Sequence, residues 1–292
     1  MTTLTTLRNA AVLCRVPIAF FAAYSAVTGY LLARGHSLPT CVMIALAVFV
    51  LAAGASAMNQ FQERHIDARM ERTRLRPLPA GVLSPLRALG IAALLIASGL
   101  ILLYASGGAA PALLGVLAVA WYNGVYTYLK RATAFAAVPG AIVGMMPPAI
   151  GWTSGEGRLD DPRLFAICML FFLWQVPHFW LQVLHHGEEY EHAGLPSLTA
   201  SLDARRISRI TFIWICSASA ASLLLPLYGN LTAPVLYVPL LFSAVWILVK
   251  GASLLSGCRT TAPSLAAFRQ MNIFILVVMS LLSAEGIFLR VP

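Results

Sequence analysis

Charge is scarce in this chain, and acidic charge is scarcest. There are eleven Asp and Glu against twenty Lys and Arg in 292 residues, charged residues make up only 11%, and apolar ones make up 59%. That balance excludes an ordinary soluble domain, in which about a quarter of the residues are charged. Cysteine is also sparse and never closely paired: Cys14, Cys41, Cys168, Cys216 and Cys258 stand singly, with no CxxC. The scatter argues against a disulfide framework or a cysteine-rich zinc site and leaves these thiols as small packing groups. No HExxH stretch occurs, which removes a zincin protease, and no Ser-His-Asp or catalytic-cysteine pattern points to a protein nucleophile. The N-terminal MTTLTTLRNAAVLCR has no small-residue cleavage site, so the first apolar run is expected to be retained. The net charge of +9 invites a nucleic-acid partner. The basic residues sit at the ends of apolar runs rather than on a soluble face, and no aromatic RNA-binding motif accompanies them, so nucleic acid is excluded.

What is present is a succession of apolar runs, each near the roughly 20 residues that cross a bilayer. They fall at about 12–33, 40–58, 86–105, 109–128, 135–153, 164–184, 207–228, 232–251 and 268–289. The expectation is an all-α, polytopic membrane protein: one domain over residues 1–292, surrounded by lipid, with nine transmembrane helices around a central cavity. Placing the N-terminus in the cytoplasm leaves only Arg34, Arg158, Arg163 and Arg290 on the far side, with every other Lys and Arg on the near side. This asymmetry predicts the orientation in a plasma or inner membrane. The long connections, 59–85 and 185–206, are then both cytoplasmic. They follow the second and sixth spans, a spacing that suggests two four-helix halves plus a ninth helix.

The polar stretch Asn59–Gly81, NQFQERHIDARMERTRLRPLPAG, lies between two apolar runs. On a helix, Asn59, Glu63 and Asp67 stand at i, i+4 and i+8 and drift by only about 80° around the axis. Such a row of oxygen ligands suits Mg²⁺ holding a phosphate group. Arg72 and Arg76 follow and can grip the same phosphates; a hydrated, locally paired loop is the plainer alternative. The second cluster, HHGEEYEHAGLPSL, spans 185–198. Here Glu188, Glu189 and Glu191 offer a second ligand set, while His185, Glu189 and His192 at i, i+4 and i+7 suit a transition metal. Lys130 and Arg131 end the fourth span, where they either meet an anionic ligand or snorkel. His178 near the end of the sixth span is a candidate functional or structural histidine. Pro147 and Pro148 are expected to break or kink the fifth span, either widening a cavity wall or permitting close packing.

The stretch Asn59…Glu63…Asp67, continuing MERTRLRPLPAG, resembles the first acidic motif of the UbiA superfamily of intramembrane prenyltransferases. VYTYLKRAT (125–133), PGAIVGMMPPAIGW (139–152), WQVPHFW (174–180) and AFRQMNIF (267–274) are similar, in order, to the branch that farnesylates protoheme IX. The likeness runs from about residue 15 to the C-terminus. Three positions depart from it: Glu63 stands where the family usually has Asp, His65 where another Asp is frequent, and Glu188-Glu189-Tyr190 where a Lys-Asp-Tyr run is usual. The resemblance implies transfer of farnesyl from farnesyl diphosphate to a vinyl group of heme B, giving heme O. Mg²⁺ would be held by Asn59, Glu63, Asp67, Glu188 and Glu189, and the substrates by Arg72, Arg76, Lys130, Arg131 and His178. It also implies a heme A synthase or terminal oxidase as assembly partner. An aromatic quinone precursor is the alternative acceptor, and a cation-binding membrane transporter the alternative of another class.

Overall fold

Helices begin where the sequence supplies a cap and a proline. In the computed structural model, which describes residues 3–35, 37–256 and 261–288, the chain opens with α1 (Thr3–Cys14) and α2 (Val16–Leu32). Ser37 accepts the Thr40 N–H at the start of α3 (Leu38–Asp67), and Ser84 accepts that of Arg87 at the start of α4 (Pro85–Gly107). α5 (Ala109–Ala132) and α6 (Ala134–Ser154) follow. Asp161 caps α7 (Pro162–His192), and Asp203 caps α8 (Ala204–Leu224). α9 (Pro234–Leu255) and α10 (Thr261–Phe288) complete the chain. A polar side chain that takes an orphan N–H, with proline in the first turn of α3, α4 and α7, is a strong helix start. No strand occurs among the described residues.

Among the described residues eight helices are long and apolar enough to cross a membrane, and a bent pair makes a ninth if it is one span. The expected span 12–33 is therefore corrected: α1 and α2 meet at 54°. The break is at Arg15, whose backbone is left-handed (φ 46°, ψ 53°), with Pro17 in the first turn of α2. Proline disfavours a helical residue before it and has no N–H to continue the ladder. A second correction concerns α6, which runs unbroken from Ile142 to Ser154 through Pro147 and Pro148. The helices approach closely here: a Cβ on Gly29 of α2 would lie 2.1 Å from the Pro148 carbonyl oxygen, and one on Gly151 would lie 1.7 Å from that of Ala26. Close packing, not a break, is what these residues provide.

α3 is a helix of 30 residues, and α7 runs 31 with a break at His186, whose backbone is non-helical (φ −119°, ψ 19°). Each outruns the roughly 20 residues a bilayer needs, so the polar end of α3 and, past the break, that of α7 are helix rather than loop. α7 is the most enclosed span, packed against α6, α8 and α10 around Trp152, Phe171 and Phe274, all essentially buried. α4, α5 and α9 instead present large apolar side chains outward, among them Leu94, Leu113 and Phe242. Polar side chains gather where α3, α5 and α7 end, and that end holds the site. Arg290 and Cys258 lie outside the described residues, as does the side chain of Glu188.

Candidate active site

The α1–α2 break leaves the last carbonyls of α1 without helical partners. Gln60 of α3 supplies them: its Nε2 donates to the oxygens of Val12 (2.8 Å) and Leu13 (2.9 Å). This ties Arg15 to the polar end of α3. On that helix Asn59, Glu63 and Asp67 are all buried, as their shared face predicts. Each is met from another element. Asn59 Nδ2 donates to Thr127 Oγ1 at 3.0 Å. Glu63 is ion-paired with Lys130 of α5. Asp67 Oδ2 accepts from Arg76 Nη1 at 2.7 Å, the loop being turned back by Thr73 Oγ1 donating to the Asp67 carbonyl.

Lys130 is aimed by an irregularity in α5. Residues Ala120–Tyr126 form a π-helical stretch, with hydrogen bonds reaching the fifth residue on. Thr127 closes it, its backbone N–H and its Oγ1 both donating to the Tyr122 carbonyl. Asn123 and Gln62 exchange amide hydrogen bonds, side chain to side chain and side chain to backbone (3.2 and 3.0 Å), and so rivet the π stretch to α3. The stretch also lines up Tyr122, Tyr126 and Phe179 of α7 as stacked rings 5.9 and 5.6 Å apart, with the Lys130 ammonium 5.6 Å from the Tyr126 ring centre.

Arg15, Tyr122, Tyr126 and Tyr190 belong to this cluster and were not among the expected site residues. Arg15 donates to the Tyr122 hydroxyl at 3.3 Å and lies in the fields of Glu63 and Asp67. The signal was available: Arg15 sits inside an apolar run with a proline two residues on, and an ionisable group at membrane depth points to function. Burial and the neighbouring charge of Arg15 push the Arg76 guanidinium below its ordinary pKa, with Asp67 opposing them. Burial raises the Tyr190 phenol, while Arg72 draws it back. The site thus sets two buried carboxylates against Arg15, Arg76 and Lys130, with exposed Arg72 beyond them. An excess of cations around two buried carboxylates suits a polyanion such as a diphosphate.

Other expected residues have local partners or exposure of their own. Arg131 is exposed, lies over the Tyr128 ring at 5.3 Å and donates to the Gln62 carbonyl. Glu191 accepts from Thr199 Oγ1 at 2.6 Å, and His192 is exposed. Glu189 is half-buried, and its neighbour at 3.8 Å is His186, not His185. Among the described residues no three His, Cys, Asp or Glu converge as a metal site, so the transition-metal set His185–Glu189–His192 is not assembled. The oxygen set on α3 does fit a hard cation: Asn59 Oδ1 is buried with no hydrogen-bond partner, and Glu63 and Asp67 share the face of Asn59; on α7, Glu189 Oε2 is likewise buried without a partner. His178 sits one residue before Phe179 and hydrogen-bonds Asn272 at 2.9 Å.

This geometry has relatives. A protein from Geobacter sulfurreducens, "Protoheme IX farnesyltransferase", is 42% identical over 267 residues, covering 91% of this chain and 95% of its own. The same fold is found in a UbiA homologue from Aeropyrum pernix K1 (TM-score 0.72, 20% identity, 95% of this chain and 99% of that one). It is also found in a UbiA homologue from Archaeoglobus fulgidus bound to GPP and Mg²⁺ (TM-score 0.57, 18% identity, 95% and 98%). The UbiA prenyltransferase family matches residues 22–276. The chain belongs to the UbiA prenyltransferase family and is a multi-pass membrane prenyltransferase.

Proposed function

We propose that this enzyme transfers the farnesyl group of farnesyl diphosphate to a vinyl group of heme B, producing heme O and diphosphate, in a single domain spanning residues 1–292. The observation that carries the reading is the pair of buried carboxylates, Glu63 and Asp67, facing an excess of cations at one end of the bundle. The heme acceptor is supported by the 42% identity to the Geobacter protein of that name. Mg²⁺ dependence is supported by the free Asn59 Oδ1 beside the two carboxylates. Asn59, Glu63 and Asp67 would hold the ion, with Glu189 across from them and Glu188 as a further donor. When bound, Mg²⁺ supplies charge neutralisation for the departing diphosphate.

The chain's own groups account for the rest. Arg15, Arg76 and Lys130 stabilise the negative charge that grows on the diphosphate as its bond to farnesyl C1 breaks and takes the electron pair. Arg72 guides the anion in, and Arg131 contributes only long-range charge. The rings of Tyr122, Tyr126 and Phe179 face the allylic cation and keep water from it. The vinyl group then bonds to C1, water adds to the cation left on the vinyl carbon, and one proton is released. The asymmetry of basic residues supports a plasma-membrane location with this end towards the cytoplasm. A heme A synthase or oxidase would be the natural recipient of the product.

The test is mass spectrometry of heme extracted after incubating purified protein with heme B, farnesyl diphosphate and Mg²⁺. The heme should gain one farnesyl and one hydroxyl. Unmodified heme alongside a prenylated aromatic acid would transfer the reading to a quinone precursor. Intact farnesyl diphosphate with every acceptor would return the transporter class.

A further inference from the structure

Resting on the heme reading above, we propose that His178 binds the iron of the acceptor porphyrin through Nε2, and that Asn272 is the positioning residue that leaves this nitrogen available. His178 Nδ1 lies 2.9 Å from Asn272 Oδ1. An amide oxygen only accepts, so Nδ1 carries the proton and Nε2 keeps its lone pair. Nε2 has no hydrogen-bonding partner among the described residues. The ring is wedged between Trp174 and Phe268, each 4.7 Å away centre to centre, so its direction is set on both faces. A histidine whose outer nitrogen donates to a fixed acceptor while the other is left open is the arrangement seen in metal-ligating imidazoles. Asn272 is itself a polar side chain in the apolar span α10, a costly placement that calls for a purpose.

Position agrees with this chemistry. Successive residues on a helix point about 100° apart, so α7 turns Phe179 to the Tyr126 stack of the donor site and His178 to α10. An acceptor held at His178 is therefore one residue away from the wall that contains the allylic cation. A small cavity continues the α7–α10 seam, lined by Leu181, Gln182, His185, His186, Leu265 and Phe268, and it shares Phe268 with His178. His185 lines it two turns on and is the rival ligand. Its Nδ1 is buried without a partner, so no hydrogen bond there fixes which nitrogen faces outward.

The experiment is resonance Raman spectroscopy of the full-length protein in detergent, loaded with heme B and reduced. The wild type should show an iron–imidazole stretching band. His178→Gly should lose it, and added imidazole should restore it, which also shows that the variant is folded. Asn272→Asp should raise the stretching frequency by making the imidazole more basic. Asn272→Leu should weaken heme binding by about 10- to 100-fold, as loss of an outer partner of a metal-bound histidine does. A wild type that farnesylates heme without the band overturns the proposal, as does a His178→Gly protein that keeps the band without imidazole. Asn272 variants that leave both frequency and affinity unchanged overturn its positioning role. If the band follows His178 but no heme is farnesylated, ligation stands and the transfer reading fails.

Discussion

At the scale of single residues the site is a set of charges that constrain one another. Glu63 is buried and its cation comes from Lys130. Lys130→Met should therefore destabilise the protein by roughly 3–5 kcal/mol, the cost of stranding a buried charge. Adding Glu63→Gln should recover most of that loss, so thermal unfolding in detergent should rank the double variant above Lys130→Met. Arg15 carries two requirements at once, a left-handed backbone and a charge. Arg15→Gly keeps the first and removes the second. It should fold about 1 kcal/mol more stably than Arg15→Ala, because only glycine occupies that region freely. Both variants should bind diphosphate about tenfold more weakly in calorimetry, consistent with one lost charged hydrogen bond.

At the scale of elements, the helix ends and crossings carry the argument. Gly151 meets the Ala26 carbonyl oxygen of α2, which no side-chain rotation can move aside, whereas a Cβ on Gly124 would meet open space. Gly151→Ala should lower the melting temperature through overpacking of about 1–3 kcal/mol or more, and Gly124→Ala should leave it nearly unchanged. Asp161 caps α7, and its carboxyl is held below the ordinary value of 3.8, first by hydrogen bonds from Arg163. A carboxylate with a depressed folded pKa contributes stability above its unfolded pKa and loses it as the pH falls through the folded one. The stability gap between wild type and Asp161→Asn should hold at neutral pH and close in acid below the ordinary carboxylate range. These features differ in how far they could be read from the chain. Serine or aspartate next to proline announces a helix start by local chemistry, so the starts of α3, α4 and α7 were legible. The extension of α3 to Asp67 was half-legible, because a shared face can be read from i, i+4 and i+8 but the end of a polar helix cannot. At Pro147–Pro148 the expected break is absent, and close packing, the other reading left open by the sequence, is what Gly29 and Gly151 show.

At the scale of the whole molecule, the succession of apolar spans was legible because apolar length is additive along the chain. The pairing of charges was not. Glu63 finds Lys130 and Asp67 finds Arg76 only through a π-helical turn in α5 and a folded-back loop, and neither has a signature at the positions it joins. Those two pairs have a consequence for how ligands enter. With both carboxylates already claimed by cations, a divalent ion arriving alone must break two ion pairs and leave their cations uncompensated. A diphosphate arriving alone meets cations whose charge is partly spent. On the proposed function, ligands arriving together would exchange partners: the carboxylates would hold the ion, Lys130 and Arg76 would hold the phosphates, and no charge would be stranded. The two affinities are then linked, and each ligand should tighten the other by the same factor, about 5- to 150-fold for a coupling of ordinary size. Titration calorimetry of Mg²⁺ with and without a non-hydrolysable diphosphate, and of the diphosphate with and without Mg²⁺, should return that one factor twice. Equal Mg²⁺ affinity in both titrations would mean the internal pairs never open, and the enzyme would then behave as two independent sites rather than as one thermodynamic gate.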